Sequence, residues 1–388
     1  MEGVSSQSIP RLAQDGTAAY RWLRTGEDAL VAMLKAIGQA TQSIRLEIYI
    51  FVAGPLGALF RDTLVDACRR QVRVRVLIDA LGSLALSKSF WNPLIQAGGE
   101  FSWFNPLKLE RIGYRDHRKI LVCDDRIAIV GGFNIAPEYR GDGVTRGWRD
   151  LGLEISGPLA KELAETFDEF FARAELKHRP LQRLRKTISE KTTRGPDWQL
   201  LLSGPGRGHN ALKHTLINDL NQARNVKIIS AYFLPTWRIR KEFNRLARSG
   251  VPVQLILAGK SDVLLSLLAS RRLYQGLLRA GIEIYEYQPQ ILHAKLVIID
   301  EVVYAGSANL DARSLNINYE LLVRVSNQRL AEEAREIFAA DLKQCRRIDP
   351  ATWRKSRSIW EKLMERWAHF ILARVDPSVA RYQLRNLH

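Results

Sequence analysis

Residues 116–134 read DHRKILVCDDRIAIVGGFN and place an imidazole, His117, two positions ahead of an ammonium, Lys119. In a strand, residues i and i+2 point to one face, so the two side chains project together. The apolar stretches 120–122 and 127–130 read as strands joined by a turn at Asp124-Asp125-Arg126. Folding back at that turn returns Gly131, Gly132 and Asn134 towards His117. A proton-transfer group, a cation and an amide donor then meet at one point. A single such stretch fits an ordinary surface hairpin equally well, but this one recurs. Residues 293–309 read HAKLVIIDEVVYAGSAN. Here His293, Lys295 and Asp300 repeat the spacing of His117, Lys119 and Asp124, and Ser307 and Asn309 follow a turn one residue shorter. The chain has seven histidines, and two of them stand at equivalent places, which argues against chance. Two imidazoles can divide nucleophilic attack and proton donation between them, while two ammoniums neutralise anionic oxygens.

Two hairpins need a frame, and the repeat supplies one. SIRLEIYIF (43–51), VRVRVLIDA (72–80) and LIQAGGEFSWFNP (94–106) lead to the first motif. VKIISAYFLP (226–235), VPVQLILAG (251–259) and LLRAGIEIYEYQP (277–289) lead to the second. Both halves run strand, helix, strand, helix, strand, motif hairpin, final strand. Continuous apolar runs such as RVLI and QLILA predict central strands covered on both faces. Alternation with helices predicts an α/β fold with much parallel pairing. The expected organisation is an N-terminal extension (1–17), a first lobe (18–160), a basic helical linker (161–196), a second lobe (197–346) and a basic amphipathic tail (347–388).

The stretches HRKILVCD…GGFN and HAKLVIID…GSAN resemble the paired HxKxxxxD motifs of the phospholipase D superfamily. Element order from about residue 18 to 346 is similar to that family's fold. The basic linker and tail are most similar to bacterial cardiolipin synthases of the short, anchor-free kind. The resemblance implies two pseudo-symmetric α/β/α lobes, each a mixed sheet flanked by helices, with the active site at their interface. It implies catalytic roles for His117, Lys119, Asp124, His293, Lys295 and Asp300, and substrate contacts from Asn134, Ser307 and Asn309. His117 would form a phosphohistidine, and His293 would act first as acid and then as base. Position 132 is Gly where the family pattern usually has Ser, so a hydroxyl contact is expected from Ser307 alone. A phosphodiester repels nucleophiles by its charge, and the lysines can offset that charge, so no cofactor and no metal is expected. Each histidine needs its second ring nitrogen held. Asp150 (in GWRDLGLEI) and Glu320 (in NINYELLVRV) head the strand after each motif and are the candidates; ordinary strand-start carboxylates are the competing reading. Asp124 and Asp300 occupy turn positions, which suits holding the loop.

The implied activity is cardiolipin formation from phosphatidylglycerol and a second phospholipid. The alternatives are a phospholipase D or a nuclease-type phosphodiesterase, and a non-catalytic lipid or nucleic-acid binder. Lys and Arg number 58 against 41 Asp and Glu, a formal charge of +17. That balance suits anionic phospholipids at a membrane surface and also a nucleic-acid backbone. MEGVSSQSIPRLAQDG lacks the apolar core of a signal peptide, and no window approaches the length of a membrane span. Cys68, Cys123 and Cys345 show no metal-ligand spacing, and Cys123 falls within an apolar strand. Together these place the protein at the cell membrane as a peripheral protein on the cytoplasmic face. The segment KHRPLQRLRKTISEKTTR (177–194) reads as a solvated linker or as a surface for lipid phosphates. In WRKSRSIWEKLMERWAHFILARV (353–375), Trp353, Trp360 and Trp367 recur every seven residues, with Leu363, Met364, Phe370 and Ile371 on the same face. This is an amphipathic basic helix that either docks on the core or lies in a membrane interface, built apart from the active site.

Overall fold

The computed structural model describes residues 18–106, 113–174, 193–205, 210–353 and 355–375. The N-terminal extension and most of the basic segment 177–194 lie outside the described residues. In the first lobe the apolar runs form β1 (Ala19–Leu23), β2 (Ser43–Ile48), β3 (Arg73–Asp79), β4 (Glu100–Phe104), β5 (Ile120–Cys123), β6 (Ile127–Gly131) and β7 (Gly152–Ser156). Their order in the sheet is β1-β7-β6-β5-β2-β3-β4. The pairs β2–β3 and β3–β4 are parallel and the others antiparallel.

The second lobe repeats the plan with β8 (Thr193–Arg194), β9 (Trp198–Ser203), β10 (Val226–Ser230), β11 (Val253–Ala258), β12 (Glu283–Tyr287), β13 (Lys295–Ile299), β14 (Val302–Gly306), β15 (Glu320–Ser326) and β16 (Cys345–Arg347). Its order is β16-β12-β11-β10-β13-β14-β15-β9-β8. Both sheets are mixed. The motif strands β5 and β13 lie inside the sheets, each antiparallel to both neighbours, and every residue in them is buried. That burial is why these strands read as unbroken apolar runs.

Each lobe also opens with a strand and helix that the repeat as read above does not include. These are β1 with Gly26–Gln39 and β9 with Ala211–Asn221. One outer core joins the first sheet to the helices Gly26–Gln39 and Pro55–Arg69. Another joins the second sheet to Ala211–Asn221, Trp237–Arg248 and Leu264–Arg279. A third core lies between the sheets and takes residues from both, together with the helices Pro158–Phe171 and Gln328–Leu342. The inner helix Pro158–Phe171 straddles the expected lobe boundary at 160/161; its buried Leu163, Phe167 and Phe170 belong to the shared core, so the first lobe continues past that point. The lobes therefore share apolar surface as well as a seam, and the site lies on that seam.

Candidate active site

The turn after each motif strand is fixed by its aspartate. Asp124 and Asp125 adopt left-handed φ values of 55° and 56°, and Asp300 one of 51°, a region where Asp is enriched among non-glycine residues. The Asp124 carboxylate accepts hydrogen bonds from the amides of Thr41, Gln42 and Ser43 at 2.7–2.9 Å. Asp300 accepts from those of Arg224 and Asn225 at 2.9–3.1 Å. These aspartates tie each hairpin to the chain entering β2 or β10. They stand at the opposite end of the motif strand from the histidine, so the structure does not bring Asp124 and Asp300 to the other motif residues. Their place in the catalytic set is corrected on that ground.

At the other end of the strands the lobes exchange backbone bonds. The His117 amide donates to the Tyr319 carbonyl at 3.0 Å, and the Tyr319 amide to the Arg115 carbonyl at 2.9 Å. In the mirrored contact, the Arg149 amide donates to the Ile291 carbonyl at 2.8 Å and the His293 amide to the Arg149 carbonyl at 2.7 Å. Each motif histidine is thus set against the chain entering β15 or β7 of the opposite lobe. Glu320 opens β15, and Asp150 lies two residues before β7. His117 Nδ1 lies 3.0 Å from Glu320 Oε1, and His293 Nδ1 lies 2.7 Å from Asp150 Oδ2. Each motif histidine is held by the other lobe's carboxylate. With Nδ1 occupied, Nε2 is the nitrogen left for substrate.

Both histidines line a cavity of about 360 Å³ between the lobes. Its walls carry Tyr49, Tyr139, Trp148 and Tyr232, with Asn134 and Asn309 beside the histidines. The Lys119 ammonium donates to the His117 carbonyl at 2.6 Å, and Lys295 donates to the His293 carbonyl. Lys295 Nζ lies 3.0 Å from His293 Nδ1. Burial, reinforced by Lys119 and Lys295, holds His117 well below the ordinary histidine range. Burial and Lys295 also lower His293, against the opposing pull of Asp150. Burial pushes Lys119 down to about 7 and Glu320 up to about 7. Two largely neutral imidazoles, each oriented by a carboxylate, therefore face one space with cations behind them. That arrangement can perform nucleophilic attack and proton transfer on an anionic ester.

Asn134 spans its half-site: Oδ1 accepts from the Ile50 amide at 3.0 Å and Nδ2 donates to Tyr139 at 2.8 Å. Asn309 Oδ1 has no hydrogen-bond partner among the described residues. Ser307 is not on the cavity wall. Its hydroxyl donates to Glu320 Oε2 at 2.6 Å and accepts from the Leu321 amide at 3.0 Å. The expected substrate contact from Ser307 is therefore corrected to a bond that holds the carboxylate. Ser314, which does line the cavity, donates to Glu320 Oε1 at 2.7 Å.

A family model described as "Cardiolipin synthase, PLD-like domain" matches residues 33–174 and 216–342. Cardiolipin synthase 1 of Bacillus cereus is 31% identical over 362 residues, covering 90% of this chain and 71% of that protein. The major cardiolipin synthase of Bacillus subtilis is 30% identical, covering 88% and 72%. The chain belongs to the cardiolipin synthase family of phospholipase D-like proteins. Among solved structures, the phosphatidylserine synthase of Haemophilus influenzae shares its fold with a TM-score of 0.74 at 13% identity, covering 93% of this chain and 94% of that one.

Within this phosphatidyltransferase family, the structure adds residues that the motif reading omitted. Tyr49 and Ile50 follow β2, and Tyr232 follows β10. The bridges Phe51–Ile135 and Phe233–Leu310 carry those chain ends to the motifs. The signal was present in SIRLEIYIF and SAYFLP, where aromatic residues end both strands. Tyr139 and Trp148 come from the loop between β6 and β7, and their rings lie 5.4 Å and 5.6 Å from that of His293. Nothing in their spacing marks them.

The tail also departs from expectation. Trp353 closes a separate short helix, Pro350–Trp353, and packs on Tyr274 with ring centroids 5.1 Å apart. It is not on one stripe with Trp360 and Trp367. Those two belong to the helix Ile359–Phe370, whose outward face is exposed. Leu372, just beyond that helix, lines the catalytic cavity, so the tail is not apart from the site.

Proposed function

We propose that the protein makes cardiolipin by moving a phosphatidyl group onto the free hydroxyl of phosphatidylglycerol. His117 Nε2 attacks phosphorus, and the bond from phosphorus to the leaving alcohol breaks. His293 passes its Nε2 proton to that alcohol. The same nitrogen then takes the proton of the incoming glycerol hydroxyl, whose oxygen attacks phosphorus and breaks the bond to His117. The lysines offset the charge on the non-bridging oxygens. The observation that carries this reading is the crossed holding of both Nδ1 atoms, which leaves two Nε2 atoms for one cavity. The assignment of roles follows the environments: burial and the two lysines hold His117 neutral, which suits attack, while Asp150 at 2.7 Å opposes the lowering of His293 and steadies its ring whenever it carries the proton.

Transfer rather than hydrolysis fits a cavity whose wall carries Tyr49, Tyr139, Trp148, Tyr232, Leu234, Val263 and Leu372, since these apolar surfaces leave less room for water. The names of the relatives support the same product. Among the described residues no helix is long and apolar enough to cross a membrane. Peripheral attachment on the cytoplasmic face fits three free cysteines. The test incubates the protein with phosphatidylglycerol and resolves lipids by thin-layer chromatography, with acid-labile phosphoenzyme trapped in parallel. Cardiolipin and a phosphoenzyme absent from His117→Ala are the expected results. Phosphatidic acid alone would overturn transfer, and full activity in His117→Ala would overturn the intermediate.

A further inference from the structure

The helix Ile359–Phe370 is well anchored yet half uncovered. A capping box between Ser358 and Glu361 starts it, and Ala368 and Glu365 bury its inner side against the helix Leu264–Arg279. Arg357 pairs with the buried Glu365 and stacks on Trp353 at 5.0 Å, locking the approach. The outer side is apolar and open: Ile359 and Trp360 are each 77% exposed, Trp367 55% and Phe370 57%, with Leu363 and Met364 between them. An apolar strip this large on a rigid helix marks an interaction surface.

Along one flank of that strip runs a cleft of about 290 Å³ between the two helices. Arg271, Arg272, Arg279, Lys362 and Arg366 line it, together with the Arg357–Glu365 pair. Arg271 is paired with Glu286, but Arg272, Arg279, Lys362 and Arg366 have no carboxylate partner among the described residues. Burial and the neighbouring Arg272 lower Arg240, which lines the adjoining hollow with His369. Uncompensated guanidinium groups in a concave site suit phosphate oxygens. At the far end of the strip the helix runs on as a π-helical segment, Ile371–Val375, and Leu372 joins Val263 in the wall of the catalytic cavity. Leu264, next in sequence to Val263, is 64% exposed.

We propose that the cleft between Leu264–Arg279 and Ile359–Phe370 binds the phosphate of an anionic phospholipid headgroup while the strip Ile359–Phe370 lies in the bilayer interface, so that Leu372 opens the catalytic cavity towards the lipid surface. The occupant is an anionic bilayer because cations and apolar side chains share one helix, with Lys362 and Arg366 along one flank of the strip and both indoles within it. The apolar strip alone would suit a second protein, but the row of unpaired cations beside it and the net charge of +17 favour a lipid surface. This inference rests on the phospholipid reading of the catalytic site, and its test is independent of turnover.

The experiment uses the full chain and co-sedimentation with two vesicle types: phosphatidylcholine alone, and phosphatidylcholine mixed with phosphatidylglycerol. The Lys362→Ala/Arg366→Ala variant should lose on the order of 25-fold in binding to the mixed vesicles, about fivefold per cation, and little on neutral ones. Trp360→Ser/Trp367→Ser should weaken binding to both by about tenfold or more, and should abolish the blue shift of tryptophan emission that vesicles induce. Both pairs leave Glu365, Ala368 and Arg357 intact, and an unchanged melting temperature confirms the fold. Wild-type binding that ignores vesicle charge would overturn the headgroup site. Displacement by inorganic phosphate at concentrations that match lipid phosphate would show a free-anion site instead. A dimer that the tryptophan variant dissociates, with vesicle binding retained, would assign the strip to a second copy. Turnover of short-chain phosphatidylglycerol by the wild type judges the catalytic reading separately.

Discussion

Glu320 and Asp150 hold equivalent positions but differ by one methylene, and the glycine opposite Asp150 accommodates the difference. A Cβ built on Gly132 would overlap the Asp150 carboxylate. In the other half-site the equivalent Ser307 coexists with the longer Glu320 and donates to it. Gly132 thus belongs with Asp150, and Ser307 with Glu320. Gly132→Ser should displace Asp150, release His293 Nδ1 and lower kcat by on the order of 10⁴-fold, the scale seen when a histidine loses its orienting carboxylate. Gly132→Ser/Asp150→Glu copies the second half-site and should recover most of that loss; no recovery in kcat would sink the pairing. The pH profile belongs to the same scale. Glu320 is pushed up to about 7 by burial, so below that pH it gains a proton and loses the negative charge that orients His117 through Nδ1. Lys119 is pushed down to about 7 by burial, so above that pH it loses the charge that the proposed mechanism sets against the phosphate oxygens. Activity should trace a narrow bell centred near neutrality. Glu320→Gln should remove the acid limb and leave the alkaline one, which a kcat profile across neutrality would reveal.

The motif hairpins are held as elements by their turns. Asp124 closes three amides of the chain entering β2, and all three bonds end outside the cavity. Asp124→Ala should therefore lower stability by about 1–2 kcal/mol, as for a lost cap, with near-normal kcat in the folded protein. A thermal melt beside a rate measurement separates that outcome from a catalytic role, which would leave the melt unchanged and remove the rate. The sequence made these hairpins legible because β5 and β13 are buried on both faces and their turns carry residues suited to positive φ. It also made Asp150 and Glu320 visible as strand-head carboxylates. It did not show which histidine each one holds, since the exchange arises only when the lobes dock. Nor did it show Ser307 turned inward, because only the register of β14 against β15 brings it beside Glu320. The tail misled through its seven-residue spacing, which suggested one helix through Trp353, Trp360 and Trp367. The break was in fact written in Ser358-x-x-Glu361, a helix start placed between the first tryptophan and the other two.

At the scale of the whole molecule, the lobes cannot be treated as two independent domains that happen to touch. The inner core draws on β6, β7, β14 and β15 and on both inner helices. Trp22 donates across the seam to the Leu330 carbonyl at 3.2 Å. Arg149 concentrates the coupling. Its guanidinium is buried, donates at 2.8 Å to Asp341 of the second lobe and at 2.6 Å to the Asp150 carbonyl, while its own carbonyl accepts from the amides of His293 and Ala294. One side chain therefore joins lobe docking to the placement of the His293–Asp150 pair. Arg149→Met would leave the Asp341 carboxylate buried and unpaired, which destabilises by about 3–5 kcal/mol. Because the core is shared, that loss should appear as a single cooperative transition shifted down, rather than as early melting of one lobe. Arg149→Met/Asp341→Leu removes the stranded charge and should regain most of the melting temperature, since an apolar pair often replaces a buried ion pair at little cost. It should not regain full kcat, because the donation that anchors Asp150 is still missing. Two separate transitions in a calorimetric scan of the wild type would contradict the shared core. A double variant with both its melting temperature and its kcat restored would show that Arg149 serves the seam alone.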